Sequence, residues 1–265
     1  MTLDADRAAW LAALRAGADV PPRRPRLPFY VGPHLVGTVE PGFLDAMARH
    51  LAGDLVFDAG RGAWHLQGEP TPSLARLADA LRDAGLAHAW RDEQLAVPDD
   101  RGRPVGTIER AVVRGLALTT QAVHLVGMSP DGRHWVQQRA FDKPNDPGLW
   151  DTLMGGMVAA VDSVQTALVR ETWEEAGLRL EALHGVRHGG HVTTRRPCDD
   201  GGGAGYVVER IDWFVATLPE GLVPENQDGE VERFELIDEA ELWRRLLGNA
   251  FTTEAALILA ACLGH

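Results

Sequence analysis

Three glutamates in the second half of the chain have a spacing that could serve chemistry. Glu171, Glu174 and Glu175 stand at i, i+3 and i+4, so a helix would carry them on one face with neighbouring Cβ atoms about 5–6 Å apart. Like charges at these spacings destabilise an isolated helix, so another group must offset the repulsion. Arg170 could pair with Glu174, or a divalent cation could collect the carboxylates, whose hard oxygen ligands suit Mg²⁺ or Mn²⁺.

The same residues have an ordinary alternative explanation. Charged helix faces are common on protein surfaces, so an isolated cluster of this kind indicates a solvated face. The flanking sequence predicts where this helix begins and ends. Asp162 is predicted to cap its start, with Gln165 completing a capping box three residues later, and Gly177 is predicted to end it.

The segment resembles the signature of the Nudix family, and the match holds over 23 residues. A glycine is followed after five residues by an acid, and after seven more by an Arg-Glu pair, two further glutamates and a glycine. The chain is identified as a member of this family from that spacing. The matching positions are Gly156, Asp162, Arg170, Glu171, Glu174, Glu175, Gly177 and Leu178.

Two positions depart from the family pattern. The acid after the five-residue gap is normally Glu and here is Asp162, which is one methylene shorter. An aliphatic position of the motif is Thr172. Because the carboxylate at Asp162 has a secondary role in the family, activity is expected to survive; the shorter acid nevertheless favours the alternative of a weakened or inactive site.

The resemblance implies a hydrolase that cleaves a diphosphate joined to an organic group, by attack of water on phosphorus. In the family, the residues matching Glu171, Glu174 and Glu175 bind Mg²⁺, with Mn²⁺ as the alternative, and those matching Glu174 and Glu175 belong to the catalytic set. Arg170 would hold these carboxylates in place. A carbonyl of Gly155 or Gly156 is a further candidate ligand, since a Gly-Gly turn lets the backbone approach closely.

The family also often places a glutamate from a distant loop or strand near the metals, as a ligand or base. Glu230, in the sequence NQDGEVERF, is predicted for this role, with Glu232 as the second choice. The alternative for Glu230 is a solvated residue at the edge of a turn. No substrate-binding residue is assigned.

Sequence outside the signature resembles one Nudix subgroup, from about Pro28 to the end of the chain. That subgroup carries a small N-terminal domain and is similar to the Nudix domain fused to thiamine pyrophosphokinase in some fungi. It implies thiamine diphosphate or its damaged, oxo-type analogues as substrates. The matching stretches are PFYVGPHLVG, RGLALTTQAVHLVG, WVQQRAFDKPNDPGLWDTLMGGM and LPEGLVPENQDGEVERFEL.

Two other function classes stay open. One is a ligand-binding or regulatory module that uses the Nudix fold without hydrolysis. The other is an isomerase acting on isopentenyl diphosphate, because that enzyme resembles Nudix proteins. The isomerase needs a reactive cysteine near the pocket, and only Cys198 lies near the relevant strands in the sequence.

The predicted helices and strands of the chain form two groups. Residues 1–115 are predicted to be a small N-terminal α+β accessory domain, and residues 116–265 the hydrolase domain. The second group mixes strands and helices, which predicts an α/β/α sandwich with a mixed sheet. The predicted elements are an N-terminal helix, strand-like FYVGPHLVGTV, helices at 42–51 and 73–84, hairpins at 55–68 and 117–140, the signature helix, strands at 209–216 and 231–237, and closing helices from Glu239.

Composition and net charge exclude several classes of protein. The 265 residues carry a net charge of −12, and two cysteines exclude a disulfide scaffold and a four-cysteine zinc site. Residues 1–115 are nearly neutral and the acid is concentrated in residues 116–265, so neither half offers the basic face of a nucleic-acid binder. No signal peptide or membrane span is expected. We therefore expect a cytoplasmic protein acting on a small-molecule diphosphate, with a homodimer as a candidate assembly.

Overall fold

The C-terminal half is built around a seven-stranded mixed sheet. A computed structural model describes residues 3–87 and 89–265. The strand order is β11-β12-β7-β8-β13, with β10 paired to β7 and β9 to β8. Only the β12–β7 pair among these is parallel. The strands are β7 (Thr120–Met128), β8 (His134–Arg139), β9 (Trp150–Asp151), β10 (Met154–Met157), β11 (His184–Cys198), β12 (Gly205–Thr217) and β13 (Val231–Ile237).

Helices cover both faces of this sheet because its central strand is apolar on both sides. Val123 and Leu125 of β7 belong to the core under one helix, whereas Ala122 and Val126 belong to the opposite core. The predicted α/β/α sandwich is confirmed. The first face is covered by α4 (Val164–Ala176), and the second by α5 (Glu239–Leu247), α6 (Thr253–Cys262) and the N-terminal helix α1 (Leu3–Ala18).

The remaining N-terminal residues form a separate sheet with its own core. Its strand order is β2-β1-β4-β3, and a hairpin of β5 and β6 lies beside it against α3. Leu74, Leu77 and Leu81 recur at helical spacing on α3 and fill this core. The elements are β1 (Leu27–Val31), β2 (His34–Val39), α2 (Asp45–His50), β3 (Leu55–Asp58), β4 (Ala63–Leu66), α3 (Pro70–Asp83), β5 (Gln94–Pro98) and β6 (Pro104–Glu109).

The N-terminal unit, residues 27–115, packs directly against the segment that follows the signature glycines. Met157, at the end of β10, is buried in the N-terminal core. The Ala160 N–H donates to the Gln94 carbonyl at 2.7 Å, which ties the next loop to β5. The division of the chain at residue 115 stays a prediction, but this packing fixes the β5–β6 hairpin beside the signature segment.

The predicted cap of the signature helix is wrong. Ser163 caps α4, since its hydroxyl accepts from the Thr166 N–H at 3.2 Å and the Thr166 hydroxyl accepts from the Ser163 N–H at 2.8 Å. Asp162 is not the cap because its carboxylate accepts from Arg170 instead. Gly177 ends the helix as predicted, in the left-handed conformation with φ of +64°.

No helix in the described part of the chain has the length and apolar character needed to cross a membrane.

Candidate active site

One cavity of about 400 Å³ collects most of the residues that the signature singled out. Its walls come from α4, from β10, from the loop between β8 and β9, and from the N-terminal unit. The lining combines carboxylates with arginines and one lysine, so it is strongly polar. The predicted site residues that line it are Gly155, Gly156, Arg170, Glu171, Glu174, Glu175 and Glu230.

Arg170 joins the acids of the signature helix to one another. Its Nη1 donates to Glu171 at 2.8 Å and to Glu174 at 2.9 Å. Its Nε and Nη2 donate to Asp162 at 3.0 and 2.9 Å, and Nη2 also donates to the Met157 carbonyl at 3.2 Å. The predicted pairing of Arg170 with Glu174 is confirmed, and the shorter Asp162 still reaches the arginine.

Glu175 is the most deeply buried acid of the site. One oxygen, Oε2, accepts from the Gln137 side chain at 2.9 Å and from the Gly155 N–H at 2.9 Å. The other oxygen lies 4.0 Å from the Lys143 ammonium. Strand β8, strand β10 and the intervening loop therefore all contribute to holding this carboxylate.

Burial disfavours the charged form of two of these acids, and the nearby cations offset this effect only in part. It raises the pKa of Glu175 to about 8, against the opposing effect of Lys143, and the neighbouring Glu171 adds to the rise. Burial also raises the pKa of Glu171 to about 7, although Arg170 partly offsets it. In the ion-free protein both groups titrate near neutral pH, as acids do when a buried site has fewer cations than carboxylates.

The two signature glycines bring backbone and side chains into close contact. A Cβ atom at Gly156 would overlap the carboxylate of Glu171, and one at Gly155 would overlap the ring of His124. Only glycine fits at either position without displacing its neighbour. The backbone at Gly156 is thereby placed against a predicted metal ligand.

Glu230 reaches the same cavity from the turn before β13. It forms ion pairs with Lys143 and, at 3.7 Å, with Arg91. Burial alone would raise the pKa of Glu230, but Lys143 and the nearby arginines outweigh it and hold the pKa below its ordinary value. Glu232 is exposed and lies outside the cavity lining, so the geometry favours Glu230 over Glu232.

The residues present fit a divalent cation. Carboxylate oxygens are the donors that Mg²⁺ and Mn²⁺ prefer, and Arg170 and Lys143 only partly compensate the charges of the buried Glu171 and Glu175. Glu171, Glu174, Glu175 and the Gly156 carbonyl would hold the ion. Within residues 3–87 and 89–265 no three acids, histidines or cysteines converge as a ready ligand set; Glu171 and Glu174 bond to Arg170 instead.

The stability of the ion-free protein is expected to fall as pH rises. Glu171 and Glu175 hold their protons to about pH 7 and 8 when folded but only to about 4.5, their ordinary value, when unfolded. Unfolding thus releases protons between these values, and the free energy of unfolding decreases as pH rises through this window. Thermal unfolding in EDTA from pH 5 to 9 measures the decrease. Adding Mg²⁺ at pH 8.5 is expected to restore most of it; a rise in stability across this range would contradict the assignment.

Several residues of the site have no signal in the signature itself. Gln137 and Lys143 hold Glu175, yet they precede the signature in sequence. Lys143 is the chain's single lysine beside 25 arginines, which is the one feature that could have singled it out. Arg91 and Arg110 line the cavity from the N-terminal unit, where the sequence offers no cluster of catalytic residue types.

The chain is similar to known proteins in both sequence and fold. The family model of the NUDIX domain matches residues 118–257. The structure of DR0079 from Deinococcus radiodurans superposes with a TM-score of 0.50 at 19% identity, covering 63% of this chain and 96% of that one. At that identity the likeness concerns the fold alone.

Two curated relatives from Arabidopsis thaliana extend the match. Nudix hydrolase 20, chloroplastic, is 30% identical over 179 residues, or 65% of this chain and 46% of that protein. Nudix hydrolase 24, chloroplastic, is 28% identical over 235 residues, or 82% of this chain and 60% of that protein. The chain thus spans about half the length of the curated relatives it matches.

Proposed function

The chain belongs to the Nudix family, and on that premise we propose that it is a Mg²⁺-dependent hydrolase of diphosphates linked to an organic group. The proposal rests on the convergence of Glu171, Glu174, Glu175 and Glu230 with Arg170 and Lys143 in one cavity. Cleavage of a diphosphate needs cations, because the anionic phosphates repel an oxygen nucleophile and the leaving group carries further negative charge. A cluster with more carboxylates than positive charges can bind these cations.

Each residue has a role that follows from its contacts. Bound Mg²⁺ would neutralise the phosphate oxygens and the leaving group. Arg170 keeps Glu171 and Glu174 on the cavity side of α4, and Gln137 with the Gly155 N–H fixes the orientation of Glu175. Glu230, which pairs with Lys143, would accept a proton from the attacking water.

The organic group is the finer part of the proposal. We propose thiamine diphosphate or its oxo-type analogues, on the strength of the subgroup resemblance across both halves of the chain. Function depends on the site as well as the fold, so direct product identification must decide. The cytoplasmic location, the small-molecule substrate without nucleic acid or membrane partners, and a homodimer remain proposals as well.

The test is product identification by mass spectrometry with the purified 265-residue chain and Mg²⁺. The panel contains thiamine diphosphate, its oxo analogue, ADP-ribose and several nucleoside diphosphate derivatives. Thiamine monophosphates among the products would support both parts of the proposal. Turnover of ADP-ribose alone would retain the hydrolase and reject the thiamine compounds. Absence of any product, with ligand-induced stabilisation retained, would instead favour the non-catalytic module.

Glu174→Gln is expected to abolish turnover in that assay and to leave the fold intact. Glu174 is two-fifths exposed and its only side-chain bond in the described residues is to Arg170, so the substitution removes a charge without opening the core. A fall of about 1000-fold or more is expected if the carboxylate supports the metal. Full activity with an unchanged thermal unfolding midpoint would remove Glu174 from the catalytic set.

Cys198 allows the isomerase alternative to be tested in the same assay. The thiol lines the cavity, but burial raises its pKa and disfavours the reactive thiolate. We therefore expect Cys198→Ala to retain activity on whichever substrate is turned over. Loss of activity in this variant, with isomerised product in the wild type, would favour the isomerase.

A further inference from the structure

Three arginines of the N-terminal unit face the cavity that contains the signature acids. Arg91 lies just before β5, Arg110 just after β6 and Arg114 four residues later. All three line the cavity. The N-terminal unit therefore contributes a wall with three arginines and Glu93 to the cavity, whereas the signature acids come from the other half of the chain.

These arginines retain capacity to bind an anion. A guanidinium has five N–H donors in a fixed planar fork. In the described residues, each of the three makes its side-chain ion pair through Nη1: Arg91 with Glu230 at 3.7 Å, Arg110 with Glu93 at 2.7 Å and Arg114 with Asp200 at 3.2 Å. The remaining edge of Arg91 and of Arg110 is suited to bidentate contact with phosphate oxygens.

The wall stands next to the catalytic acids. Arg91 pairs with Glu230, Glu230 pairs with Lys143, and Lys143 lies 4.0 Å from Glu175. The packing of Met157 into the N-terminal core and the bond from Ala160 to Gln94 fix the hairpin in this position. An anion held by the arginines would thus lie beside the group bound at the acids.

We propose that Arg91 and Arg110 form an anion subsite for the terminal phosphate of an organic diphosphate. The inference rests on the proposed hydrolase function and adds that the N-terminal unit binds substrate. A terminal phosphate has three free oxygens and more negative charge than a phosphate substituted on both sides. Two forked guanidiniums match that oxygen set, so the subsite favours substrates that end in a diphosphate.

The test is the equilibrium binding of methylenediphosphonate, a diphosphate mimic that resists hydrolysis, to the 265-residue chain. Isothermal titration is performed with Mg²⁺ and again in EDTA. Arg91→Ala and Arg110→Gln are each expected to raise the Kd about 10-fold or more, because charge-assisted bonds are lost. Glu93→Gln is expected to lower the Kd, since it frees the bonded edge of Arg110.

A matched control removes a similar charge elsewhere in the same unit. Arg76 on α3 pairs with Asp54 at 2.7 Å, is about half exposed and lies outside the cavity lining. Arg76→Ala is expected to leave the Kd unchanged. Thermal unfolding midpoints confirm that each variant is folded, and Arg110→Lys separates charge from the forked geometry: partial binding is expected.

The subsite is overturned by unchanged Kd values in both arginine variants, by an equal rise in Arg76→Ala, or by no binding to the wild type under either condition. Its failure is distinct from that of the hydrolase. Arginine-dependent binding without hydrolysis of any diphosphate would keep the subsite and reject the hydrolase. If hydrolysis depends on Glu174 but the arginine variants bind with normal affinity, the hydrolase is kept and the subsite is rejected.

Discussion

Replacing Glu175 with glutamine is expected to abolish turnover and yet stabilise the ion-free protein at pH 8. The glutamine oxygen can still accept from Gln137 and from the Gly155 N–H, both of which donate to one carboxylate oxygen at 2.9 Å. Burial raises the pKa of Glu175 to about 8, so ionisation of this carboxyl at higher pH lowers the stability of the folded ion-free protein. The glutamine amide does not ionise, so the variant does not lose stability in this way.

The same substitution removes a predicted metal ligand. Turnover is expected to fall about 1000-fold or more, because a bound metal supplies several kcal/mol of charge stabilisation in such reactions. The stabilisation that Mg²⁺ gives the wild type is expected to shrink in parallel.

Two measurements check the Glu175 prediction together. Thermal unfolding in EDTA compares Glu175→Gln with the wild type at pH 5 and pH 8, and the midpoint is expected to rise at pH 8 with little change at pH 5. Product assays then measure the loss of turnover. A destabilised ion-free variant at pH 8, or wild-type turnover, would contradict the account of Glu175.

Gly156→Ala is expected to disable the site through a steric effect. The added Cβ would overlap the Glu171 carboxylate, so either that side chain or strand β10 must move. The neighbouring Met157 is packed into the N-terminal core and its carbonyl accepts from Arg170, which limits how far the strand can shift. We expect a stability loss of about 1–3 kcal/mol, as for other overpacked sites, and turnover reduced at least about 100-fold.

Gly17→Ala is the matched control for this substitution. Gly17 lies in α1 and an added Cβ would meet nothing within 4 Å. Alanine there is expected to stabilise the helix by up to about 1 kcal/mol and to leave turnover unchanged. If Gly156→Ala behaves like Gly17→Ala in both assays, the close packing of Glu171 on the backbone has no functional role.

Local patterns were sufficient to predict the main elements. Helix α4, its end at Gly177, the β7–β8 hairpin and strand β13 follow from periodicity and turn residues within short windows. The prediction of the cap is wrong because Asp162 could either cap the helix or pair with Arg170, which lies eight residues away. A capping rule considers only the next three residues, so it cannot detect that competition.

The missing parts of the site depend on distant contacts. Gln137 reaches Glu175 across 38 positions of sequence, and Lys143 reaches Glu230 across 87. Strand β11 contains three glycines, which locally indicate a loop, and it forms because β12 pairs with it over most of its length. The arginines of the N-terminal unit join the site only through packing between the two halves, for which the sequence carries no local pattern.

Binding of a divalent cation by the acids of α4 can be measured by titrating Mn²⁺ and following electron paramagnetic resonance. The signal of free Mn²⁺ reports binding without requiring a known substrate. We expect saturable binding to the wild type, competition by Mg²⁺, and affinity at least about 100-fold weaker in Glu174→Gln. No saturable binding to the wild type, or equal affinity in the folded variant, would contradict the binding of a cation by these acids.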